Sequence, residues 1–277
     1  LRTDLDVYVE KYTTEGSEGR IRGIILSIIN VGILLGPFIA GWILFNGDFE
    51  TLYFASGISL IPALALVVWR LNHVRDVRYH HAPFFRTCME LRKNPPLLHA
   101  FIANFLLEFF FTWMVIYSPI YLTHSIGIPL AQVVGVIFPI MLIPFILIEF
   151  PAGALADRFW GEKEMLISGF VIMGLSTLAI PFLTSTSLIW WAMLLFLTRI
   201  GASLVEMMSE AYFFKHVEAK STDLISLFRN TRPISYLVAP IVAPVVILFG
   251  GMQGLWIVLG GLMLWGAWHA RLLQDTK

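Results

Sequence analysis

Hydrophobic positions run in long unbroken stretches along the chain, and short polar or glycine-rich breaks separate them. A helix rises about 1.5 Å per residue, so about 20 apolar residues cross the roughly 30 Å hydrocarbon core of a bilayer. Eight stretches meet that length: residues 23–45, 51–70, 99–122, 130–151, 165–183, 188–212, 224–249 and 252–271. Asn46-Gly47-Asp48 and Gly250-Gly251 are among the breaks. In lipid, only helices and closed barrels satisfy every backbone polar group. The runs are continuous rather than alternating, which excludes the barrel. The pattern predicts an all-α polytopic membrane protein with eight transmembrane helices.

Composition agrees. Hydrophobic residues make up 57 % of the 277 positions and charged residues 14 %, against about 25 % in soluble domains. Mean hydropathy is +0.77. A soluble fold needs a largely polar surface and could not hide this much apolar area. Cys88 is the single cysteine, so a disulfide scaffold is excluded. Formal net charge is zero, and no basic field points to nucleic acid.

Charge placement says more than charge total. Of the 19 Lys and Arg residues, every one except Arg199 falls in alternate gaps between the spans or beyond the ends. By the positive-inside rule both termini and the long loop before the third span are cytoplasmic, in the plasma or inner membrane of a cell. No charged n-region and cleavage site precede the first span, so it is not a signal peptide. The chain opens on Leu1 and a charged segment, which reads as part of something longer.

The organisation then divides. Residues 72–98 form the only long hydrophilic stretch between spans and close near Pro95-Pro96, so they read as a linker between residues 1–71, with two spans, and residues 99–277, with six. Ile33–Gly47 aligns without gaps to Tyr236–Gly250, each after a charged segment and before one further span. The first two spans thus look like counterparts of the last two, as in transporters built from two repeated six-helix bundles.

Two motifs sharpen this. In the first span Gly23, Gly32, Gly36-Pro37 and Ala40-Gly41 are spaced as in the fifth-helix motif of the major facilitator superfamily, with Ala40 where that motif has glycine. Between the fourth and fifth spans Gly153, Asp157-Arg158, Gly161 and Lys163 resemble the same superfamily's cytoplasmic loop signature, lengthened by Trp160 and carrying Glu162 where a base is common. The chain therefore resembles helices 5–12 of a major facilitator transporter: the last two helices of the N-terminal bundle, the linker and the six-helix C-terminal bundle. The resemblance implies rocking of two bundles about a midplane site, and a protein that is monomeric when whole. It implies Gly32, Gly36, Pro37 and Gly41 as a helix-packing motif, and Gly153, Asp157 and Arg158 as a cytoplasmic gate, Asp157 facing a helix N-terminus.

Charges inside a span cost about 2.5–3.5 kcal/mol each and so need an account. Arg199, Ser203, Glu206 and Glu210 fall on one helical face of the sixth span, and Asn104, Glu108 and Thr112 make a polar stripe on the third. Both stripes should face water or each other. Asn104, Glu108, Trp113, Arg199 and Glu206 are the candidate substrate and proton pathway. Glu108 and Arg199 are expected to form or exchange an ion pair, with Glu206 about 10 Å further along. A static polar lock between helices is the alternative. Arg229, Asn230 and Arg232 read as topology determinants, and Trp190-Trp191 as an interfacial belt.

Enzyme signatures are absent: no phosphate loop, no metal-binding His pair around a glutamate, no nucleophile elbow. His80-His81 lack the spacing of a metal site, and no cofactor is expected. The function implied is secondary transport of a small molecule, coupled to protons or another ion, with efflux by antiport preferred because the resemblance links the Gly-Pro motif to antiporters. A transporter-like membrane sensor or scaffold is the alternative. A wet cavity between the third and sixth spans would favour transport, and a dry seam the scaffold.

Overall fold

The computed structural model describes residues 18–70, 84–148, 161–217 and 222–273. Among these residues all regular structure is helical: α1 (Glu18–Asn46), α2 (Phe49–Arg70), α3 (Phe84–Lys93), α4 (Pro95–Ile120), α5 (Leu130–Leu147), α6 (Glu162–Ala179), α7 (Leu188–His216), α8 (Thr222–Arg229) and α9 (Thr231–Ala270). Among the described residues six helical stretches are long and apolar enough to cross a membrane, and Val31–Phe45 of α1 is a further, shorter apolar stretch. A π-helical turn at Tyr121–Ser125 extends α4, and another at Val133–Ile137 lies within α5.

The last of these stretches is double. Forty residues of α9 would run about 60 Å, twice the hydrocarbon thickness. At Gly251 the backbone leaves the helix (φ 63°, ψ −169°), a conformation that glycine adopts without a Cβ penalty. A Cβ placed on Gly254 would lie 3.9 Å from the Val246 carbonyl, a separation of about 12 Å along a straight helix. The chain therefore doubles back between the expected seventh and eighth stretches.

Two elements differ from the sequence expectation. The seventh span was expected to begin near residue 224, but an amphipathic helix, α8, ends at Arg229 and α9 starts afresh at Thr231. Pro233 explains the restart, since a residue without an N–H is tolerated in a first turn and not in a helix interior. The hydrophilic segment before α4 also contains a helix, α3, whose Thr87 and Leu91 are buried one turn apart.

The core forms where α4, α6, α7 and α9 pack on one another, with α5 against α7 and α1 against α5. Trp113, Trp191, Trp256, Phe110, Phe170 and Tyr212 fill it. Close approach of α6 and α7 depends on two glycines: a Cβ on Gly201 would come within 2.5 Å of the Gly169 carbonyl oxygen and the Met173 amide. The α2 helix packs on α1 and presents Tyr53, Phe54, Leu64 and Trp69 outward, a face that suits lipid and not water.

Candidate functional site

The polar stripe of α4 meets the start of α9. Asn104 Nδ2 donates to Thr231 Oγ1 at 2.7 Å, and that hydroxyl donates to the Phe228 carbonyl at 2.7 Å. One turn on, Glu108 Oε2 stands 3.9 Å from Arg232 Nε. Trp113, fully buried, donates its indole N–H to the Ala239 carbonyl at 2.8 Å. Three of the five pathway candidates thus face α9.

Arg199 occupies a different surface. Only 2 % of it is exposed, and its guanidinium carbon lies 5.3 Å and 5.4 Å from the Phe110 and Phe111 ring centroids of α4. Its Nε and Nη1 have no hydrogen-bond partner. The two rings offer the cation their faces, which partly replaces hydration. Glu206, seven residues along α7 and partly exposed, interacts with it electrostatically. Ser203 donates back to the Ile200 carbonyl at 2.9 Å. Phe110 and Phe111 sit about 200° and 300° around α4 from Glu108. The structure therefore sets Arg199 against the two phenylalanine rings and Glu108 against Arg232, on neighbouring faces of one helix.

Further ion pairs gather at the same end as Arg232. Glu210 accepts from Arg229 Nη1 at 2.7 Å, and that guanidinium lies over Phe214. Lys215 pairs with Glu162, a buried carboxylate in the first turn of α6. His99 and His269 bring α4 and α9 together, Nδ1 to Nε2 at 3.2 Å.

Residues 6–145 and 116–276 each match the family profile of the Major Facilitator Superfamily. The chain belongs to that superfamily. Among curated proteins, none matches its sequence.

Within this facilitator chain the packing motif of α1 divides. A Cβ on Gly41 would lie 2.1 Å from the Gly135 Cα of α5, so the two backbones touch there. Gly32 and Gly36 have open space around the same position, and Pro37 lies inside the helix. The gate candidates Gly153, Asp157 and Arg158 lie outside the described residues. Among the described residues no three His, Cys, Asp or Glu side chains gather as metal ligands.

Sequence reasoning missed which residues the candidates meet. Arg232 belongs to the cluster that reads as a topology marker, yet it and its neighbour Thr231 reach across to α4. His99 and His269 meet across 170 residues of chain, and no local signal joins residues so far apart. The Trp190-Trp191 pair splits: Trp190 is 58 % exposed, while Trp191 is buried and donates to the Ser185 carbonyl at 2.6 Å. Adjacent helical residues point about 100° apart, and at this position the second of them turns into the core.

Proposed function

We propose that this chain forms the last eight spans of a proton-coupled secondary transporter for a small molecule. Its base-rich end and both its termini lie in the cytoplasm, and two bundles rock about a midplane site, with antiport the preferred direction. Asn104, Glu108, Trp113, Arg199 and Glu206 serve the pathway in this reading, and Gly153, Asp157 and Arg158 the cytoplasmic gate. Membership of the superfamily supports membrane transport, and the turn at Gly251 supports counting α9 twice.

The observation that carries the reading is Arg199, a cation at span depth with two guanidinium nitrogens left unbonded. Such a group is costly, and functional pathways are where membrane proteins keep them. Glu206 answers its charge from the same helix. Glu108 faces Arg232 at the edge of ion-pair distance, so a small relative movement of α4 and α9 opens or closes that pair. A carboxylate whose cation approaches and withdraws takes up and releases a proton.

The test uses the intact transporter in proteoliposomes with an imposed pH gradient. Glu108→Gln and Glu206→Gln are each measured for flux against pH. Loss of the pH dependence in at least one variant is expected, with substrate still bound. Unchanged pH profiles in both would remove proton coupling through this site.

The sensor or scaffold reading is favoured by one observation: at Arg199 the surface between α4 and α7 is closed by two aromatic rings. Under that reading Arg199→Gln alters stability alone. Under the transport reading it abolishes flux while Arg199→Lys retains part of it.

A further inference from the structure

The α3 helix has a packed side and an open side. Thr87 and Leu91 are buried, and the helix packs on α8 and on α4. On the open side Phe85 and Met89, one turn apart, are 79 % and 60 % exposed. At about 100° per residue the remaining exposed positions flank that ridge, Arg92 on one side and Lys93 then Arg86 on the other. Glu90, further round, accepts from Arg86 Nε at 3.1 Å. The open surface is an apolar ridge between bases.

Its level relative to the bilayer follows from the chain. Asn94 alone, in extended conformation (φ −115°, ψ 91°), separates Lys93 from Pro95, where the apolar α4 begins. That residue breaks the α3 axis from the α4 axis at the depth where the chain enters hydrocarbon. Large apolar side chains at this depth meet the boundary between headgroups and acyl chains. The flanking bases select the partner. The core of a protein interface is depleted in charge, whereas anionic headgroups attract Lys and Arg beside an apolar insertion.

We propose that α3 docks on an anionic membrane surface, with Phe85 and Met89 entering the headgroup boundary and Arg86, Arg92 and Lys93 binding lipid phosphates around them. Because α3 also packs on α8, whose Arg229 holds Glu210, the lipid surface and the ion pairs at this end of the bundle are mechanically connected.

The full chain carrying Cys88→Ala and Met89→Cys is labelled at residue 89 with an environment-sensitive fluorophore. It is reconstituted into vesicles of phosphatidylcholine, or of an equal mixture of phosphatidylcholine and phosphatidylglycerol. Two quenchers are compared, iodide in the water and a spin label shallow in the acyl chains. In the mixed vesicles the expected result is blue-shifted emission, strong lipid quenching and protection from iodide. Without phosphatidylglycerol the lipid quenching is expected to weaken severalfold. In the mixed vesicles the combined Arg92→Gln and Lys93→Gln change weakens it likewise, and so does high salt, which needs no further variant. The same readings are expected from Phe85→Cys labelled in place of residue 89. Iodide quenching in both vesicles would overturn the proposal by placing the ridge in water. Protection from both quenchers would overturn it in favour of a covering protein surface, and equal lipid quenching in both vesicles would remove the anionic preference.

Discussion

Asp48 shows how much one side chain can decide at the start of a span. Its Oδ1 accepts from the Thr51 amide and the Thr51 hydroxyl, each at 2.9 Å, capping the first turn of α2. These hydrogen bonds, the amide first, hold its carboxyl below the usual carboxylate range. A lowered folded pKa means that the cap contributes above the ordinary range and fades as pH falls through the lowered value. Asp48→Ala is therefore expected to lower the protection factor of the Thr51 amide near neutral pH, and acidification of the parent protein should lower it too once the slower intrinsic exchange in acid is divided out. A protection factor at Thr51 that neither change affects would contradict the cap. Arg199 is the opposite case, a side chain kept despite its burial. A buried cation with nitrogens left unbonded carries a desolvation cost that an apolar side chain of similar size does not. Arg199→Met is expected to raise the thermal midpoint in detergent while abolishing flux. A lower midpoint would show that the two phenylalanine faces and Glu206 more than offset the desolvation.

Helix pairs are held by small residues at a few heights. Gly201 leaves no room for a side chain against Gly169 and Met173. Gly201→Leu should destabilise the α6–α7 pair by about 1–3 kcal/mol or more, read as a lowered thermal midpoint. On α1, Gly41→Leu is expected to separate that helix from α5, and Gly36→Ala to leave the packing unchanged. Disulfide trapping between cysteines placed on α1 and α5 would measure both. The glycine spacing announced a packing helix without saying which glycine touches, because the contact depends on the rotation of α1 against a helix far along the chain. The same limit explains α3 and α8. Each is amphipathic in its own residues, but their buried sides exist only because the helices pack on each other and on the bundle.

At the scale of the molecule, the ion pairs Glu162–Lys215, Glu210–Arg229 and Glu108–Arg232 join α6, α7, α8, α4 and α9 at one end. Lys215→Met deprives the buried Glu162 carboxylate of this cation. The expected result is a larger fall in thermal midpoint than in the Glu162→Gln, Lys215→Met double variant, because a buried charge stripped of a partner is worse than an absent pair. Equal falls would mean that Glu162 is adequately held by its other contacts. Helicity, membrane residence and the charged candidates could be read directly along the chain, since a run of apolar residues and a charge within it are properties of neighbours in sequence. The family, too, was legible in the Gly-Pro spacing of α1 and in the loop around Asp157. Which residue each charge meets was not legible. Glu108 faces Arg232 and Arg199 faces two phenylalanine rings because the rotation of α4 between α7 and α9 distributes its faces. Rotation is set by the packing of whole helices, and no single segment contains that information.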